Sequence, residues 1–102
     1  MAIAQQLVGT SPTTIYTSTG ETATTAVFFM NDDAGAVTIQ VYLVPDGGSA
    51  GTSTQVIKDL SIDPADTYIL QQEKLLLSDG DTIQVTADTL NSIYATTVYV
   101  SV

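Results

Sequence analysis

Apolar residues recur at every second position through most of this chain. Val37, Ile39, Val41 and Leu43 alternate with Thr38, Gln40 and Tyr42, and Ile83, Val85 and Ala87 alternate with Thr82, Gln84 and Thr86. Tyr94, Val98, Val100 and Val102 share one parity, with Thr96 between them. A period of two belongs to half-buried strands, because successive side chains point to opposite faces of a sheet. The residues involved are mostly β-branched or aromatic, the types that suit a pleated surface. The only stretch that could instead form a helical turn is Gln71 to Leu77, which is short, uncapped and flanked by strand patterns.

Turn chemistry separates these runs. Asn31 to Gly35 suits a hairpin loop, with Gly35 available for positive φ. Asp63-Pro64-Ala65-Asp66 fits a type I turn, with Asp first and Pro second. Ser78-Asp79-Gly80-Asp81 contains the Asp-Gly pair that primed hairpin turns favour. Pro12, Ser18-Thr19-Gly20 and Leu90-Asn91-Ser92 mark further breaks. The result is eight or nine short strands, over 3–8, 13–18, 23–30, 36–44, 55–61, 66–71, 74–77, 82–88 and 93–102. Such spacing predicts an all-β, two-sheet antiparallel sandwich, jelly-roll-like or immunoglobulin-like. Pro45 to Thr54 is expected to be a mobile loop between the sheets. At 102 residues the chain is expected to form a single domain over 1–102. Residues 1–11, cut off by Ser11-Pro12, are a candidate N-terminal arm that pairs with a neighbouring subunit.

Composition narrows the function. The chain has no His, Cys, Trp or Arg, and its only basic residues are Lys58 and Lys74. Proton transfer, nucleophilic attack and charge stabilisation draw chiefly on those absent types, so an enzyme is not expected. The formal net charge is −9, and two separated lysines cannot neutralise phosphates, so neither nucleic acid nor an anionic membrane is an expected partner. The first residues lack the basic and apolar regions of a secretory signal, and no apolar run is long enough to span a membrane.

The acids Asp32, Asp33, Asp63, Asp66, Asp79 and Asp81 all fall in expected turns. Ca²⁺ uses such carboxylates, but no segment supplies enough ligands by itself and Asp favours turns for backbone reasons. They are read as turn-formers, with no metal or cofactor expected. A glycosidase pair needs one carboxyl kept protonated by its surroundings, and exposed turn acids offer no such environment. Lys58 shares its parity with Val56, Leu60 and Ile62, which suggests snorkelling or protection of an edge strand.

Val27-Phe28-Phe29-Met30 is apolar at four successive positions, and Tyr42-Leu43-Val44 nearly continues that habit. Such strands are expected to bury both faces, either under a loop of the same chain or against a partner. Phe28, Met30, Tyr42 and Val44 are the interface candidates.

Three stretches in the first half carry a resemblance: Thr14-Ile15-Tyr16-Thr17, Ala26 to Asn31 and Val37 to Pro45. In the second half it runs through Ile57 to Ile62, Asp66 to Leu70 and Glu73 to Val85, the last with a Gly80-Asp81-Thr82-Ile83 turn. Together they resemble small β-sandwich virion structural proteins of tailed bacteriophages, over nearly the whole chain. The resemblance implies a virion location and a non-enzymatic structural role. A capsid decoration or cement protein bound to the major capsid lattice comes first, and a tail or fibre component that recognises the host surface is the alternative. It also implies a chain that self-associates or decorates a particle, with a major capsid protein as partner. Closed point-group symmetry on a particle lattice favours a trimer, and so acidic a chain should meet a basic patch on its partner.

Overall fold

The computed structural model describes residues 2–70 and 75–101. Among these residues nine strands are the only regular elements: β1 (Ala2–Val8), β2 (Thr13–Thr17), β3 (Thr22–Asn31), β4 (Val37–Val44), β5 (Gln55–Ile62), β6 (Thr67–Leu70), β7 (Leu76–Leu77), β8 (Thr82–Ala87) and β9 (Ile93–Ser101). Most of the stretch weighed as a helical turn, Gln71 to Lys74, lies outside the described residues, as does Val102; its continuation, Leu76–Leu77, is strand β7.

All pairings are antiparallel. Sheet A has the order β1-β9-β3-β6, with β7 following β6 along the same side of β3, and sheet B has the order β2-β8-β4-β5. The chain is a two-sheet sandwich. With β6 and β7 counted as one interrupted strand, its order is that of a jelly roll. An immunoglobulin sandwich would instead pair several strands with their sequence neighbours.

The core follows from the alternation. Val27 and Phe29 of sheet A face Val37, Ile39, Val41, Ile83 and Val85 of sheet B, all essentially inaccessible, and Val8, Ile93 and Ala95 complete the cluster. Each such side chain stabilises the fold by roughly 1.5–3 kcal/mol relative to exposure. Strand β9 departs from its sequence pattern. Its inward residues are Ile93, Ala95, Thr97 and Tyr99, while the more apolar parity of Tyr94, Val98 and Val100 turns outward. Residues 2–8 do not stand off as an arm. They pair with β9 in unbroken register from Ala2↔Tyr99 to Val8↔Ile93.

The turns fall where expected but lead elsewhere. Asn31 to Gly35 joins β3 of sheet A to β4 of sheet B, so it is no hairpin, and Gly35 does not adopt positive φ. Ser78 to Asp81 likewise crosses between sheets, with Gly80 at φ 87°. Ala65 sits at φ 60° in the Asp63–Asp66 turn, the positive φ that a type II rather than a type I turn requires at its third position. The Pro45–Thr54 loop closes the one hairpin of sheet B, between β4 and β5. It is tied by backbone bonds from Gly48 N–H to the Pro45 carbonyl and from Thr54 N–H to the Gly51 carbonyl.

Strand β5 changes face at a bulge. Ile39 pairs with Leu60 and Val41 with Ile57, leaving Lys58 and Asp59 opposite Gln40, with Asp59 at φ 55°. Leu60 and Ile62 therefore face the core with Ile57, while Lys58 and Val56 turn outward. The shared parity read for Lys58 is broken by that one extra residue. Lys58 is exposed on an edge strand, the position in which a charge blunts edge-to-edge pairing.

Candidate functional site

The outer face of sheet A is assembled from four strands by their register. One row across it reads Leu7, Tyr94, Met30 and Thr67, and the next reads Gln5, Thr96, Phe28 and Ile69. A third contains Ile3, Val98 and Ala26. Among the described residues no charged side chain stands in these rows. Several large apolar groups remain open to solvent: Ile3 is 65% exposed, Ile69 43%, Tyr94 41% and Met30 40%. Among the described residues no loop covers them. Contiguous apolar surface of this kind marks sites of association, since isolated soluble domains seldom leave it uncovered.

The outer face of sheet B has a different character. Thr82, Gln84 and Thr86 of β8 lie beside Thr38, Gln40 and Tyr42 of β4. The Gln40 carboxamide faces the β5 bulge, accepting from Asp59 N–H at 3.0 Å and from the Gln55 amide, and donating to the Asp59 carboxylate. Beside it runs an open groove of about 480 Å³ lined by Thr10, Thr38, Gln40, Asp59, Thr86 and Asp88.

The four interface candidates therefore do not form one surface. Phe28, half-buried, and Met30 lie on the outer face of sheet A, whereas Tyr42 lies on the outer face of sheet B. Val44 is 3% exposed and unavailable to a partner. The Pro45–Gly48 turn folds back on it, so that a Cβ built on Gly48 would lie 3.5 Å from its Cγ1. Sequence reasoning missed Ile3, Leu7, Ile69 and Tyr94. Their period-two spacing was visible, but their convergence depends on strand order.

Other clusters of polar groups are accounted for by the fold. Tyr16 donates to Thr22 Oγ1 at 3.1 Å, Ser18 Oγ lies 2.8 Å from the same oxygen, and Ser18 donates to the Gly20 carbonyl. Among the described residues these hydroxyls bond only to one another and to a carbonyl, whereas an activated nucleophile needs a base beside it. The turn carboxylates accept from backbone N–H groups: Asp79 from Gly20, Asp81 from Asp46 and Ser78, Asp33 from Gly35, and Asp88 from Thr38. No three acids converge as a metal site would require, among the described residues. A depression between Leu43, Pro45, Leu76 and Asp81 measures about 180 Å³, smaller than the roughly 300–1,000 Å³ of small-molecule pockets.

Searches with this chain against family models, curated proteins and solved structures find no match.

Proposed function

We propose that this chain is a non-enzymatic structural protein of a tailed-phage virion, a capsid decoration protein that lies on the major capsid lattice through the outer face of sheet A. The observation that carries the reading is the uncharged apolar surface around Phe28, Met30, Ile69 and Tyr94, left open by the fold. The broad side of the molecule spans 38 × 27 Å, on the order of 1,000 Å². A stable interface needs about 800 Å² per partner. With no arginine in the chain, binding rests on aliphatic and aromatic contact at the centre. Acidic turns at the rim meet basic groups of the partner. Homo-oligomers, trimers among them, suit a symmetric lattice of such sites.

Two measurements test this. Immunogold labelling of purified virions should decorate the head, and label confined to the tail tip would overturn the assignment. Met30→Lys and Tyr94→Lys should each weaken binding to capsids stripped of this protein by more than about tenfold, with the melting temperature little changed. Unchanged binding by both variants would exclude this face.

The polar groove on sheet B favours a second reading. Thr10, Thr38, Gln40, Asp59, Thr86 and Asp88 offer many uncharged donors and acceptors with two carboxylates, a set suited to hydroxyl-rich glycans. A tail or fibre component that recognises the host surface would use it. Isolated protein should then adsorb to host cells and lose adsorption on Gln40→Ala; absence of adsorption sets this reading aside.

A further inference from the structure

We infer that two copies of this chain associate through the β1 edge of sheet A, strand β1 pairing antiparallel with β1 of a second copy about a two-fold axis. Four strand edges bound the two sheets, and three of them carry devices that discourage pairing. The β6–β7 edge consists of strands of four and two residues. Strand β2 has five residues, a bulge at Thr14/Tyr16 and Pro12 just before it. Strand β5 carries Lys58, two register shifts and a positive φ at Asp59. Strand β1 has none of these. It runs seven residues, Ala-Ile-Ala-Gln-Gln-Leu-Val, without charge, proline or bulge, and among the described residues no strand pairs with the backbone groups of its far side.

The occupant is fixed by charge and by area. Residues 1–20 contain no charged side chain; all eleven acids and both lysines lie beyond them. Strands β1 and β2 both fall in that segment, both are edges, and they pack on each other, so the two edge strands on that side of the sandwich carry no charge. In a chain of net charge −9, this is the side on which a second copy approaches without acid meeting acid. A side spanned by the longest and shortest extents of the molecule, 38 × 20 Å, offers on the order of 750 Å² per partner, close to a standard interface. A two-fold axis normal to the sheet joins the two copies of sheet A into one. Their apolar outer faces then lie side by side, with Ile3 and Leu7 of each copy at the seam. This contact is made by the backbone edge of β1 and borders the outer face used in the proposed function, whose centre at Phe28 and Met30 it leaves free.

Sedimentation equilibrium and amide hydrogen exchange test it on the whole chain. The mass should rise from monomer to dimer with concentration, and exchange within residues 3–7 should slow in parallel. Gln5→Glu places like charges across the seam and should raise the dissociation constant at least tenfold. Ser61→Glu, exposed on the opposite side, should leave it within twofold. Far-UV circular dichroism checks that both variants fold. A monomer up to about 1 mM, a trimer, equal effects of the two variants, or a dimer abolished by Met30→Lys but not by Gln5→Glu would each overturn the inference.

Discussion

Asn31 ties two connections together at one end of the sandwich, that between β3 and β4 and that between β5 and β6. Its side chain is buried and its Nδ2 donates to the carbonyls of Gly35 at 3.0 Å, Ile62 at 2.9 Å and Asp63 at 3.3 Å, while its Oδ1 accepts from Asp33 N–H at 2.8 Å. Its backbone bonds to Asp66 and Ala65. Only an amide supplies both donors and an acceptor in that space. Asn31→Asp would set a carboxylate against three carbonyl oxygens, and should cost about 3 kcal/mol or more in urea unfolding. Thr97 presents the reverse case. It is fully buried between Ala4 and Val27, and its hydroxyl has no partner among the described residues. Thr97→Val keeps the shape and removes an unsatisfied group, so it should stabilise by about 1 kcal/mol. A lower urea midpoint for the variant would contradict that account.

Strand identity was legible at the scale of elements because alternation and turn residues are local. All nine expected strands form, within a few residues of the expected boundaries where they are described. The destinations of the turns were not legible. Asp-Gly and Asn-to-Gly segments reverse the chain equally well within a sheet or between sheets, and here both cross. A single bulged residue at Asp59 likewise reversed the faces of β5, which no pattern of polarity announces. The candidate surface was half-legible for the same reason. The run at Phe28 and Met30 stood out within one strand, while Ile69 and Tyr94 join it only through pairing. Gly80 illustrates a turn whose residue is fixed by geometry. It has φ 87°, and an added Cβ would lie 2.6 Å from Asp46 Oδ1. Gly80→Ala should therefore cost about 2 kcal/mol, measured as a fall in the urea midpoint at unchanged slope.

The whole molecule separates charge from apolar surface. Asp32, Asp33, Asp63, Asp66 and Asp88 lie in connections at one end, next to Asn31 and the start of β4. Glu21, Asp46, Asp79 and Asp81 gather at the other, around Gly20 and Gly80. Both ends repel themselves, and salt screens such repulsion over about 10 Å at 0.1 M. The melting temperature should therefore rise by roughly a few degrees between low salt and 0.5 M NaCl. A flat or falling profile would show that these carboxylates act only as turn-formers.

The place of β9 has a consequence for synthesis. It lies between β1 and β3, joining the first strand to the centre of sheet A. While the chain is still growing, β1 and β3 have no common neighbour, and Val8 and Phe29 have no completed layer to close over them. During synthesis β4 can pair with β5 and β3 with β6, but β1 has no strand partner until residues 93–101 are clear of the exit tunnel. Sheet A therefore closes only once β9 is made, and β1 waits longest of its strands for a partner.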